Sequence, residues 1–286
     1  MPILRVFPRK TKATPEDDYV AIGLPGLFPP EDISEIHISV AFTWDMLEAE
    51  RLAEAWSRYG NVKIGGPAFN RPGGEFVPGM YLKTGYVITS RGCPNHCWFC
   101  AVPKREKGGL HELQIKDGYN ILDDNLLACS EKHIIAVFDM LKRQKHKAKF
   151  TGGLEAKLLK AWHYELLREI KPERIYFAYD TPDDYEPLVS ASNLLAEHNL
   201  LNVRKVSVYC LCGWPSDTFE AAEARFWQVL KLGMCPYAML WRDTKGTTAQ
   251  EWRKFQCSWV APQIIYTKLK EANYAESKTT QPPRTN

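Results

Sequence analysis

From about residue 81 the sequence alternates short β-rich runs with amphipathic helical runs, and this serial alternation restricts the fold more than any other feature of the chain. The runs 85–90, 119–122, 148–151, 174–179, 205–211 and 237–241 read as strands. Between them apolar residues recur at helical spacing, as in Ile134, Val137, Phe138 and Leu141, or Leu158, Leu159, Trp162 and Leu166. Ser130 reads as the N-cap of one such helix, and Gly233 as the terminator of another. Six β/α units in series predict a parallel sheet, because each right-handed crossover returns the chain to the same edge. Curled, six units make an α/β fold of partial (β/α)6 TIM-type barrel form, with functional loops at the C-terminal ends of the strands.

Before residue 68 the pattern is shorter: a strand at 36–42, a helix at 45–59 ending at Gly60, and a strand at 62–64 running into Gly65-Gly66. These predict a small αβ appendage, joined to the barrel by the Pro/Gly-rich stretch 65–79. The expected division is an appendage with its linker at 1–75, a barrel at 76–245, a helical extension at 246–275 and a mobile tail, ESKTTQPPRTN, at 276–286.

Composition narrows the partners. With 37 Lys plus Arg against 34 Asp plus Glu, the net charge of +3 supplies no concentrated basic face for a nucleic acid or an acidic membrane. The one dense basic run, KRQKHKAK at 142–149, reads as a solvated helix end. Charges interrupt every apolar run well short of the roughly 18 residues of a membrane helix, so no membrane partner is expected. The opening MPILRVFPRKTK lacks the apolar core of a signal peptide, and the expected compartment is the cytoplasm. There the eight cysteines stay reduced, and their spacing is read as metal or redox chemistry.

Directly after the first barrel strand comes RGCPNHCWFC, which sets Cys93, Cys97 and Cys100 in one loop with the spacing C-x3-C-x2-C. Three thiolates hold three irons of a cube-shaped 4Fe-4S cluster and leave the fourth iron open to an exogenous ligand. Phe99, just before the last cysteine, suits a role in shielding the cluster and flanking that ligand. The alternatives are a structural zinc site completed by His96, or a redox pair at Cys97 and Cys100. No second pair of zinc ligands is visible at regular spacing, and a redox pair leaves Cys93 unexplained.

In this motif and its barrel context, over residues 81–245, the chain resembles the radical S-adenosylmethionine (SAM) enzymes. The resemblance implies a 4Fe-4S cluster whose open iron is chelated by the amino and carboxylate groups of SAM. It further implies reductive cleavage to a 5′-deoxyadenosyl radical that takes hydrogen from an unidentified substrate, and a reducing partner such as flavodoxin or ferredoxin. LDDN at 122–125 sits where the family has its Gly-Gly-Glu element, so Asp124 and Asn125 are candidate acceptors for the SAM ammonium. TGGLEA places Glu155 as a rival candidate one strand later. At strand four Asp180 suits ribose hydroxyls, and at strand five CGWPSDT, with Gly213, resembles a Gly-x-Pro turn found beside adenosine. Competing readings are turn and cap roles for Asp123, Asp124, Asn125, Glu155, Asp180 and Asp217. The appendage resembles a shortened cobalamin-binding domain without the Asp-x-His-x-x-Gly motif, for which a structural or substrate-covering role is expected. Cys212, nearest the barrel mouth, is a candidate thiol for substrate chemistry. Rival functions are a nucleotide or nucleic-acid modifying member of the family and, in another class, a zinc-stabilised binding module.

Overall fold

The computed structural model describes residues 2–30, 32–70, 74–107, 109–243, 246–260 and 263–270, so the expected tail at 276–286 lies outside the described residues. Two compact units are present: Met1–Ile175 with Thr244–Gly246, and Tyr176–Asp243 with Thr247–Asn286. The first holds β1 (Ile3–Phe7), β2 (Val20–Ile22), β3 (Glu35–Ser39), α1 (Met46–Trp56), β4 (Val62–Gly65), β5 (Tyr86–Val87), β6 (Ser90–Arg91), α2 (Val102–Arg105), β7 (His111–Glu112), β8 (Asn120–Ile121), α3 (Glu131–Lys142), β9 (Lys149–Phe150), α4 (Ala161–Ile170) and the start of β10 (Arg174–Ala178). The second holds the rest of β10, then α5 (Tyr185–Glu197), β11 (Val206–Cys212), α6 (Phe219–Lys231), β12 (Cys235–Leu240) and α7 (Gln250–Val260).

The N-terminal sheet has the order β2-β1-β3-β4, all parallel, with Leu4 opposite Ile36 and Ile36 opposite Val62. Leu4, Val6, Ile36 and Ile38 pack with Leu52 and Trp56 of α1 into a closed core. The Trp56 indole donates to the Gly23 carbonyl at 3.0 Å, so its one polar atom is satisfied. This appendage is larger than its sequence suggests, because β1 and β2 were not expected. Arg5 hides β1 by placing a charge at the centre of ILRVF. The structure buries that residue, and its guanidinium donates to Asp17 and to the carbonyls of Gly79 and Met80.

The alternating region supplies parallel strands to each unit. In the first unit β5 pairs with β8, β8 with β9 and β9 with β10, all parallel, with Tyr86 opposite Asn120, Asn120 opposite Lys149 and Lys149 opposite Arg174. In the second unit β11 and β12 run parallel from Ser207 opposite Cys235 to Cys212 opposite Leu240. Ser130 caps α3 by accepting from the His133 amide, and α6 ends just before Gly233 at φ +75°. The expected strand 85–90 is divided: β5 stays in the parallel row, while β6 turns away and pairs antiparallel with β7. Among the described residues no helix is long and apolar enough to cross a membrane.

Truncating the N-terminal core should cost far more than truncating its surface. Ile38→Ala, at a position 1% exposed, is expected to lose about 2–5 kcal/mol by chemical denaturation. Leu27→Ala, at a position 92% exposed, should stay within about 0.5 kcal/mol of wild type. Equal losses would contradict this assignment of the core.

Candidate cluster and cofactor site

The Cys loop hangs between β6 and β7 in the first unit. A residue with a Cβ at Gly92, whose φ is +90°, would overlap the Gly109 carbonyl, so the two ends of the loop meet backbone to backbone. Cys93, Cys97 and Cys100 form no disulfide, and the middle one is exposed while the outer two are half-buried. The Cys100 amide donates to the Cys97 carbonyl at 3.1 Å, a tight turn that brings the last two cysteines round together. Burial pushes the Cys100 thiol above its ordinary range. Phe99 is half-buried against Trp98, edge to face at 5.3 Å, and Trp98 itself is 60% exposed.

Three consecutive polar residues after β8 meet this loop in three ways. Asp123 is buried and accepts from the Thr89 amide at 2.6 Å, the Thr89 hydroxyl at 2.5 Å and the Ser90 hydroxyl at 2.7 Å. Burial nonetheless raises its pKa, against the pull of those donors. Asp124 accepts from the Gly92 amide at 2.8 Å and from one Arg105 nitrogen at 2.7 Å to each oxygen. Asn125 turns toward the cysteines: its amide nitrogen lies 3.4 Å from the Cys93 sulfur and donates to Glu155 at 2.6 Å. Asn95, inside the loop, donates its side-chain amide to the other Glu155 oxygen at 3.0 Å and its backbone amide to Cys93 sulfur at 3.4 Å.

The rival candidates 123–125 and 152–155 therefore converge beside one sulfur. Asn125 and Glu155 are brought together there, whereas Asp124 has both oxygens occupied within the loop. For Asn125 and Glu155 the cap reading has no side-chain bond behind it: each begins a short 3-10 turn but makes no capping hydrogen bond. The glycines before Glu155 serve a local need, since a Cβ at Gly152 would overlap the Asp123 backbone. Sequence reasoning missed Asn95 and Arg105, which carry no recognisable spacing.

The donor set fits an iron-sulfur cluster. Two N–H groups reach the Cys93 sulfur, as cluster thiolates favour. Among the described residues no three His, Cys, Asp or Glu side chains are gathered around a point that would hold a single metal ion. Thiolates on three different irons need no such point. The Asn125 carbonyl oxygen is buried without a hydrogen-bond donor, beside Glu155 and Cys93. An acceptor left in that condition suits an incoming ammonium group.

The second unit carries the remaining candidates. Asp180 accepts from the Leu211 amide at 2.8 Å, and its own amide donates to Asp184 at 3.1 Å. Gly213, at φ +80°, donates to Asp217 at 2.9 Å, and the Trp252 ring lies where a Cβ would sit. Asp217 also pairs with Arg225 at 3.0 Å, and that guanidinium stands 4.7 Å over the Trp214 ring. A cavity of about 420 Å³ opens here, lined in part by Trp214, Trp241 and Trp252. Cys212, the candidate thiol for substrate chemistry, is fully buried, and burial pushes its pKa up to about 12.

No protein-family model matches this sequence, and a search of curated proteins finds no match either. Solved structures do match. The radical S-adenosylmethionine methyltransferase TsrM from Kitasatospora setae, with cobalamin and a [4Fe-4S] cluster bound, aligns at a TM-score of 0.59 and 12% identity, over 91% of this chain and 76% of that one. This chain shares the fold of that enzyme. A second TsrM structure, with tryptophan substrate and the SAM analog aza-SAM bound, aligns at 0.56 and 11% identity, over 83% and 72%. Residues 76–286 make up only about three quarters of the chain, so coverage of 91% takes in part of the N-terminal region as well. The fold likeness therefore extends into the N-terminal region.

Burial raises the Asp180 pKa from 3.8 to about 6, so the folded state binds a proton that the unfolded chain has already released across that interval. Stability should fall as pH rises from about 4 to about 6, by up to about 3 kcal/mol. Asp180→Asn keeps an acceptor for Leu211 and should remove this component of the slope in denaturant unfolding. An unchanged slope would show that Asp180 is already ionised at pH 4.

Proposed function

We propose that this chain is a radical SAM enzyme in which Cys93, Cys97 and Cys100 hold one 4Fe-4S cluster, and in which Asn125 and Glu155 accept from the N–H groups of the SAM amino group. The observation that carries this reading is the Asn125 side chain. Its nitrogen spans Cys93 and Glu155, while its buried oxygen accepts nothing from the protein. A cluster held by Cys93, Cys97 and Cys100 would supply the one-electron reduction by which SAM yields methionine and a 5′-deoxyadenosyl radical able to take hydrogen from a substrate. That electron comes from a small carrier protein such as a flavodoxin or ferredoxin.

The chain's own groups do the binding and orienting. The backbone amide of Asn95 and the side-chain amide of Asn125 donate toward the Cys93 sulfur and temper its negative charge. Glu155, held by two amides, offers a fixed anion for the ammonium. Phe99 flanks the loop and limits the approach of water. The substrate stays unassigned, and methyl transfer, the reaction named for TsrM, is not carried over.

Cobalamin does not fit the N-terminal sheet as it is built. Such sheets take ligands outside the strand C-termini where the strand order reverses, which here is between β1 and β3. Arg9, just after β1, crosses that point and pairs through both guanidinium arms with buried Asp45 ahead of α1. The stacked rings of Phe42 and Trp44 follow β3, and Gly246 packs on Trp44 so closely that a Cβ would come within 2.5 Å of it. We assign this sheet a structural role.

Anaerobic reconstitution should give about four irons and four sulfides per chain, and Cys97→Ala almost none. Asn125→Ala should keep the iron yet bind SAM roughly ten- to a hundredfold more weakly. Hydroxocobalamin should separate from the protein on gel filtration. Stoichiometric zinc in place of iron, or wild-type SAM affinity in the Asn125 variant, would overturn the reading.

A further inference from the structure

The Cys loop is closed at both ends by groups that are not cysteines. Gly92, one residue before Cys93, gives its amide to Asp124 at 2.8 Å. Arg105, five residues after Cys100, gives one nitrogen to both oxygens of the same carboxylate at 2.7 Å. A single side chain on β8's following turn thus grips the loop on either side of all three cysteines. The grip is kept from water: the Arg105 and Asp124 side chains are 13% and 16% exposed. The other arm of Arg105 donates to Glu106 at 2.8 Å, and the Glu106 side chain is 2% exposed. A guanidinium withdrawn this far from water is costly unless paired, and here two carboxylates pair it.

We propose that Asp124 and Arg105 are positioning residues, a clamp that holds the Cys loop in the shape its three thiolates need to share one cluster. This use of the clamp rests on the cluster reading above. The clamp itself consists only of the chain's own groups, so it orders the loop independently of iron. Asp124 acts on the thiolates through the loop and does not reach SAM, which separates its role from that of neighbouring Asn125. Asp124→Asn removes the charge and leaves Arg105 with one carboxylate. Arg105→Lys keeps a charge without the planar fork that holds Asp124 and Glu106 together.

Two measurements on wild type, Asp124→Asn, Asp124→Glu and Arg105→Lys test this. In metal-free protein, trypsin should cut after Lys104 or Lys107 about tenfold faster or more in Asp124→Asn than in wild type, the weight of one charge-assisted hydrogen bond. Asp124→Glu should recover part of the protection. After anaerobic reconstitution, iron should pass to a chelator such as bathophenanthroline faster in Asp124→Asn and Arg105→Lys by a similar factor, with a broadened electron paramagnetic resonance signal from the reduced cluster. Wild-type cleavage, iron loss and spectrum in both Asp124→Asn and Arg105→Lys would overturn the clamp. A wild type that takes up no iron, in a series where Asp124→Asn still opens the loop to trypsin, would overturn the cluster reading and leave the clamp standing. If Asp124→Asn fails to fold, Asp124→Glu and Arg105→Lys carry the same comparison.

Discussion

The polar run Asp123-Asp124-Asn125 after β8 sends three consecutive side chains to three destinations, and the geometry of the Cys loop follows from that division. Asp123 goes inward, where a buried carboxylate costs several kcal/mol unless donors meet it, and Thr89 and Ser90 supply three. Those bonds turn β6 out of the parallel row and so launch the loop. Asp124 closes the loop on itself through Gly92 and Arg105. Asn125 faces the sulfur of Cys93 and fixes Glu155 from the next strand. A parallel row of strands is what makes this possible, since it sets the C-terminal ends of β5, β8 and β9 side by side.

Paired charges recur wherever the backbone must hold an irregular course. In the N-terminal sheet Arg5 ties β1 to the segment at Gly79 and Met80, and Arg9 with Asp45 spans the point where the strand order reverses. In the second unit Arg225 braces the Gly213–Asp217 turn and stacks on Trp214. Arg9 and Arg225 each meet a carboxylate, Asp45 and Asp217, that is largely withdrawn from water, the arrangement in which such pairs specify geometry more than they add stability.

What was legible in the sequence is what periodicity and spacing record. The serial strands and helices from residue 81 were readable because each buries one apolar face, and the three cysteines because their spacing is short and local. β1 was not readable, since Arg5 breaks the apolar alternation and only its distant carbonyl partners explain its burial. Asp124 was expected to meet a ligand, and a carboxylate in a loop looks the same whether it faces a cofactor or an arginine 19 residues earlier. Gly152 makes a close approach to the backbone of Asp123, a partner that the run TGGLEA does not reveal. Cys212 looked accessible because its strand ends at a mouth, and the inward face of β11 buries it completely.

The central claim is that SAM binds an iron held in this loop with its amino group turned toward Asn125 and Glu155. Pulsed electron–nuclear double resonance on the dithionite-reduced protein with SAM labelled with 15N at its amino group tests it most directly. The account predicts a resolved 15N coupling in wild type that is weakened or shifted in Glu155→Gln. An intact four-iron signal with no 15N coupling in wild type would contradict it.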